Sequence, residues 1–137
     1  MIDYKKEYRS KDLNKLNFHD AKIRSIIFGK KNISSMLLKI DYIIKATHRS
    51  GKFYSFLISK ADLEFLGISN LIINLDFKKF SASTLEIDEI SMNEIKNRNQ
   101  FTIDTFMGTT RGTISFDADD FILKFKKPKM KQMKWFI

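Results

Sequence analysis

The sequence contains no cysteine, and only one proline, two histidines and five glycines among its 137 residues. The absence of cysteine excludes disulfides, thiolate nucleophiles, and zinc or iron–sulfur sites that depend on cysteine ligands. Two histidines leave little choice for a catalytic triad, and the Gly-x-Ser-x-Gly pattern of a nucleophile elbow is also absent. We therefore expect no metal, no other cofactor and no catalytic activity.

Long hydrophobic runs are also missing. No apolar stretch approaches the roughly 20 residues that a membrane-spanning helix requires. The first residues, Met1 to Glu7, are charged and lack the apolar core of a signal peptide. With no cysteine and no such segment, we expect a cytoplasmic protein without a membrane span.

The chain has a net charge of +9, which raises the possibility of nucleic-acid binding. Its distribution is uneven, because residues 124–137 contain six lysines and no acidic residue. Only five of the 25 basic residues are arginine, the side chain best suited to bidentate recognition of phosphates and bases. We interpret the charge mainly as compositional, and a nucleic-acid-binding domain that uses the lysine-rich tail stays the alternative.

Alternating apolar and polar side chains dominate the chain and indicate β-structure. The pattern is clearest over residues 33–46, and residues 21–28 show it as well, so we predict a β-hairpin over residues 21–44. Further strands are predicted at residues 53–59, 61–65, 71–77, 85–92, 101–107, 114–116 and 121–125. The spacing predicts a single all-β domain, an antiparallel β-sandwich or flattened barrel of seven to nine strands.

Two local features refine this prediction. The alternation slips by one residue between Asp88 and Ile90, which indicates a β-bulge. The polar residues 93–100 are compatible with one helical turn. Around the β-domain, assigned to residues 17–127, we predict a polar leader at residues 1–16 and a basic-aromatic tail at residues 128–137.

Exposed basic side chains are the candidates for binding a partner. Arg111 lies in a glycine-bounded turn, and loops often contact partners. The tail combines lysines with Trp135, and because an exposed terminal Trp-Phe-Ile is costly in water, we expect it to dock partially. The candidates are Arg111, Lys126, Lys127, Lys129, Lys131, Lys134 and Trp135.

The motif Phe18-His19-Asp20-Ala21 precedes the first predicted strand. A His–Asp pair can bind a divalent metal or act in acid–base catalysis, but the other histidine, His48, lies in a predicted turn. We therefore interpret the motif as structural. Phe18 is expected to be buried, and His19 or Asp20 to bond the backbone or a near neighbour. Both side chains lining an open cleft would favour a chemical role instead.

The run from Leu16 to Ile23, followed by a long alternating strand, resembles a group of small bacterial proteins. These proteins share a Phe/Trp-His-Asp-Ser/Ala motif at the start of the first strand. Residues 61–68 resemble their mid-chain segment, and residues 112–121 resemble their closing hairpin. The group includes the YxiG-like family and related immunity proteins of contact-dependent or polymorphic toxin systems. The resemblance implies an all-β domain, often of unknown function and in some cases a toxin antidote. Together with the missing catalytic apparatus, it leads us to expect a non-catalytic module that binds a protein partner.

Overall fold

The computed structural model describes residues 2–29, 34–50, 53–76 and 84–134, with only the backbone described for residues 46–50, 53–55 and 130–134. Within these ranges the chain forms ten strands and one short 3₁₀ helix. They are β1 (Glu7–Arg9), the 3₁₀ helix (Ser10–Lys15), β2 (Lys22–Phe28), β3 (Met36–Ser50), β4 (Phe53–Leu66), β5 (Ser69–Asn74), β6 (Leu85–Ile95), β7 (Arg98–Met107), β8 (Thr110–Ala118), β9 (Asp120–Phe125) and β10 (Lys129–Lys134). The predicted all-β class is confirmed.

Nine antiparallel strands follow one hydrogen-bonded path, in the order β1-β9-β4-β3-β2-β6-β7-β8-β5. The path folds back on itself. The ring centroid of Phe65 in β4 lies 5.1 Å from that of Phe101 in β7 and 4.6 Å from that of Phe116 in β8, although three or more strands separate them along the path. A front half-sheet (β1, β9, β4, β3 and β2) therefore faces a back half-sheet (β6, β7, β8 and β5), as in a sandwich or flattened barrel.

Two junctions connect the half-sheets. At one, β2 meets β6 through the single register pair of Lys22 and Glu86. At the other, the paired strands β4 and β9 bend into the paired strands β5 and β8. Gly67 occupies this bend with φ +66°, and the Asp119 N–H donates to the Leu66 carbonyl at 2.8 Å. Apolar side chains fill the space between the half-sheets.

The core follows from the alternation in the sequence. Every second residue of β3 from Met36 to Tyr42 is buried in the core, and so is Leu37 on the other face, whereas Lys39 and Asp41 are partly exposed. The predicted hairpin over residues 21–44 is present, since β2 pairs antiparallel with β3. In β3, the alternation of apolar and polar side chains therefore predicts which face of the strand packs in the core.

The predicted bulge is also present, because the pairing of β6 with β7 shifts register between Ile87 and Glu89. Residues 93–100 contain no helical turn. Instead β6 and β7 continue to a two-residue hairpin turn at Lys96 and Asn97, where φ is 47° and 56°. A two-residue hairpin turn requires positive φ, which asparagine tolerates, so this turn forms without the glycine that usually signals it.

Each of the two predicted flanking segments contributes one strand to the sheet. In the leader, β1 pairs with β9, and buried Tyr8 packs edge to face on Phe125 with ring centroids 5.8 Å apart. At the other end, β10 pairs with the first half of β4, and β9 pairs with the second half. The boundaries predicted at residues 16 and 128 therefore fall inside the folded unit. Trp135 lies outside the described residues, so its docking stays a prediction.

Asp120 fastens the N-terminal segment to β9. Its Oδ1 accepts hydrogen bonds from the Ser10 N–H at 2.9 Å, the Ser10 hydroxyl at 2.6 Å and the Phe121 N–H at 2.8 Å. Burial alone would raise the pKa of this carboxyl, but the Ser10 and Phe121 hydrogen bonds and nearby Arg9 together hold it below its usual 3.8. The folded state therefore favours the ionised form.

We expect Asp120→Ala to lower the free energy of unfolding at pH 7 by about 1–2 kcal/mol, because it removes charge-assisted hydrogen bonds. The folded pKa lies below the unfolded one, so the contribution is complete above pH 3.8 and is lost as pH falls through the folded pKa. Urea unfolding of both proteins at pH 7 and at pH 3 measures this. An equal difference at both pH values would contradict the assignment.

Candidate functional site

The aromatic ring of the Phe18-His19-Asp20-Ala21 motif is buried, as predicted. Phe18 packs edge to face on Tyr42 with ring centroids 5.5 Å apart, and Ala21 is also buried. The Tyr42 hydroxyl accepts a hydrogen bond from the Asn17 N–H at 2.8 Å. Burial raises the pKa of Tyr42 above 10, although the Asn17 hydrogen bond opposes the shift. The start of the motif is therefore anchored in the core.

The backbone of the motif holds the two half-sheets together beside β2. The Asp20 N–H donates to the Ile87 carbonyl, and the Ile87 N–H donates to the Ala21 carbonyl, each at 2.8 Å. Asp20 adopts φ +66°, a conformation that aspartate tolerates better than most residues. The structural interpretation of the motif thus has a specific basis, because it links β2 to β6.

The His19 side chain is exposed and lies between two carboxylates. Its Nδ1 lies 3.2 Å from the backbone oxygen of Asp88 and 3.2 Å from Asp88 Oδ1. Its Nε2 lies 3.5 Å from Asp20 Oδ1. The predicted contact with the backbone or a near neighbour is confirmed, and the main partner lies 69 residues further along the chain.

Asp88 also binds Arg111, the other residue that the sequence marked as a candidate. Arg111 Nη1 donates to Asp88 Oδ2 at 2.8 Å, and its guanidinium lies 5.7 Å from the centroid of the Phe106 ring. The same ring lies 6.4 Å from the His19 ring. We call His19, Asp88, Phe106 and Arg111 the Asp88 cluster.

The bulge in β6 explains why Asp88 can make both contacts. Ile87 and Ile90 are buried, so two consecutive residues, Asp88 and Glu89, must occupy the stretch between them. An extra residue in one strand redirects the side chains beside it. The sequence revealed the slip in alternation but not the partners of Asp88, because those partners come from β8 and from the residues before β2.

Two further carboxyl groups, Asp20 and Glu86, lie near each other beside this cluster. Burial and, secondarily, the charge of Asp20 raise the pKa of Glu86, while a hydrogen bond from Thr84 and the nearby Lys22 oppose the shift. Across the residues that the structure describes, no group of three or more His, Cys, Asp or Glu side chains is arranged to hold a metal ion.

A cleft of about 590 Å³ lies between the 3₁₀ helix and β6, next to the cluster. His19 and Asp88 line it, but Asp20 is not among its lining residues. The one hydroxyl among the described lining residues belongs to Ser10, which donates to Asp120 at 2.6 Å. The remaining lining residues are Lys11, Leu13, Asn14, Leu16, Asn17, Phe18, Glu89, Ile90 and Met92. A cleft with both polar and apolar walls can bind part of a partner molecule.

The candidate lysines lie on a different half-sheet from Arg111. Lys126 and Lys127 are exposed between β9 and β10, where the Lys126 N–H donates to the Lys60 carbonyl at 2.9 Å. Exposed Lys129 begins β10, opposite Ile58. Lys131 and Lys134 follow in β10, with undescribed side chains, and Trp135 lies outside the described residues. The structure does not bring these lysines to the Asp88 cluster.

Comparisons with known proteins add no relative. No family model matches the chain, and neither a curated protein nor a solved structure matches it. The resemblance to YxiG-like and immunity proteins therefore stays a prediction. Across the described part of the chain, no helix has the length and apolar character needed to cross a bilayer.

Proposed function

We propose that this chain is a non-catalytic protein-binding module, and that it contacts its partner through the Asp88 cluster and the adjoining cleft. One observation carries the proposal. The Arg111 side chain is 71% exposed, yet an ion pair with Asp88 and the Phe106 ring hold it in place. Arginine and aromatic side chains are enriched at the energetic centres of interfaces, and an anchor that is already ordered loses less entropy on binding.

The surroundings of His19 support a binding role over catalysis. Its ring is exposed, and the carboxylate beside it is already shared with Arg111. General acid–base and nucleophilic catalysis depend on groups whose environment shifts their reactivity and on a nucleophile within reach of the base. The Ser10 hydroxyl is instead held by Asp120.

The resemblance of the motif suggests the class of partner. We propose that the partner is a toxin of a bacterial toxin system and that this chain is its cytoplasmic immunity protein. A direct test is to co-express the chain with the product of a neighbouring toxin-like gene and to measure both complex formation and cell survival. If the chain formed no complex with any neighbouring product and gave no protection against one, the proposed antidote role would be wrong.

We expect Arg111→Ala to weaken binding of that partner at least about tenfold, since the loss of one interface anchor typically has an effect of this size or larger. Isothermal titration calorimetry gives the dissociation constants. The matched control is Arg24→Ala, because Arg24 forms an ion pair with Asp41 at the same 2.8 Å but on the front half-sheet. Equal losses for the two variants would remove the Asp88 cluster from the interface.

A nucleic-acid-binding β-domain is the second candidate. The exposed side chains of Lys126, Lys127 and Lys129, close together where β9 passes into β10, favour it. Affinity for a nucleic acid would then fall steeply with salt, because neutralised phosphates release counterions. Charge reversal at Lys126 and Lys127 should reduce that salt dependence, whereas Arg111→Ala should leave it unchanged.

A further inference from the structure

Strand β6 has an open edge next to the cleft. Its backbone bonds to the front half-sheet end at Ile87, which pairs with Asp20 and Ala21 just before β2. Beyond Ile87, β7 is the only strand in the described part of the chain that pairs with β6. Every second residue of such an edge presents an N–H and a C=O group that a further strand can bond.

The cleft gives this edge a second wall. On the β6 side, buried Ile90 and half-buried Met92 line the cleft. On the opposite side, half-buried Leu13 and Leu16 of the N-terminal segment line it. An extended segment lying in the cleft could bond the β6 backbone and place every second side chain against apolar groups of both walls.

The outward side of the edge is acidic. The β6 sequence contains four carboxylates and no basic residue. Glu89 lies directly opposite Asp104 of β7, and neither carboxylate forms an ion pair with another described residue. Like charges in directly opposed positions destabilise a sheet. A basic side chain on a strand added next to Glu89 would offset this repulsion.

We propose that the partner adds an extended segment to the β6 edge, with basic side chains facing Glu89 and apolar side chains entering the cleft. This inference rests on the proposed function and specifies the chemistry of the partner. A basic segment is compatible with a chain of net charge +9, because at physiological ionic strength screening limits exposed charges to about 8 Å and the local charge decides. A second copy fits poorly, since two β6 edges would place carboxylates opposite carboxylates.

An NMR titration of the full chain with the capped peptide Lys-Val-Arg-Val-Lys tests the proposal, since about five residues is a typical strand length. We expect a dissociation constant below about 1 mM and slower exchange of alternate amide hydrogens between Glu89 and Asn93. The capped peptide Glu-Val-Glu-Val-Glu should bind at least about tenfold more weakly. N-methylation of the backbone amides of the basic peptide retains its charge but removes its donors, so it should weaken binding similarly.

A pair of variants tests whether the charge acts locally. Glu89→Lys should weaken binding of the basic peptide at least about tenfold, because it replaces an attraction with a repulsion beside the added strand. The matched control is Glu94→Lys, which makes the same change in charge at an exposed β6 residue outside the cleft. This control should change the dissociation constant less than about twofold, because its charge is screened.

Four outcomes would overturn the inference: no binding of the basic peptide, undiminished binding of its N-methylated form, equal losses for the two variants, or slow exchange of every amide between Glu89 and Asn93 in the free chain. The last would mean that another segment of the same chain occupies the edge. If these peptide tests failed while Arg111→Ala still weakened a complex with the partner, the added strand would be wrong and the proposed function would stand.

Discussion

Replacing Phe65 with alanine is expected to lower the free energy of unfolding by about 3–5 kcal/mol, the range for removing a large buried aromatic side chain. Phe65 is fully buried, and its ring contacts those of Phe101, Phe116 and Phe121 with centroids 4.6 to 5.7 Å apart. These partners come from β7, β8 and β9, so this one side chain bridges the front and back half-sheets. Its removal would leave a cavity that rigid strands on both sides cannot close.

Urea unfolding followed by circular dichroism measures this loss. Small domains are stable by only about 5–15 kcal/mol, so the variant should unfold at a much lower midpoint or be partly unfolded in water. The matched control is Phe28→Ala, since Phe28 is 53% exposed and the same atoms are removed there. If Phe28→Ala were as destabilising as Phe65→Ala, the placement of Phe65 at the centre of the core would be wrong.

The fold class was readable from the sequence because alternation is a local property. Positions 36, 38, 40 and 42 show it within a single strand, and the inward face of that strand follows from sequence alone. The same reasoning missed β1, because three residues are too short to show a period. It also placed a break near residue 60, where β4 in fact continues from Phe53 to Leu66.

Only part of the candidate site could be predicted from the sequence, because its central residue contacts residues that lie far away along the chain. His19 and Arg111 attracted attention through their chemistry and local context, but Asp88, which joins them, lies 69 residues from one and 23 from the other. Alternation reports which face a residue occupies and says nothing of which strands are neighbours. The cluster forms because β2, β6, β7 and β8 are successive neighbours along the hydrogen-bonded path.

A second large effect is expected at the bend between β4 and β5, where Gly67→Ala should lower the free energy of unfolding by about 2–3 kcal/mol. Gly67 has φ +66°, and a left-handed conformation costs a residue with a side chain about 1–2 kcal/mol. The added Cβ would also overlap the carboxylate of Asp119. That carboxylate lies 3.8 Å from Arg98, which donates to the Gly67 carbonyl. Displacing it would therefore weaken the contacts that hold the bend.

Gly108→Ala separates the two contributions, because Gly108 has a similar φ of +62° in the exposed turn between β7 and β8. Urea unfolding should show a loss of about 1–2 kcal/mol for Gly108→Ala, from backbone strain alone. The larger loss at Gly67 would then measure the crowding of Asp119. In the background Asp119→Ala, where that carboxylate is gone, the excess should disappear. If Gly67→Ala lowered the free energy of unfolding equally in that background, backbone strain at the bend would account for the whole loss. Crowding of Asp119 would then contribute nothing.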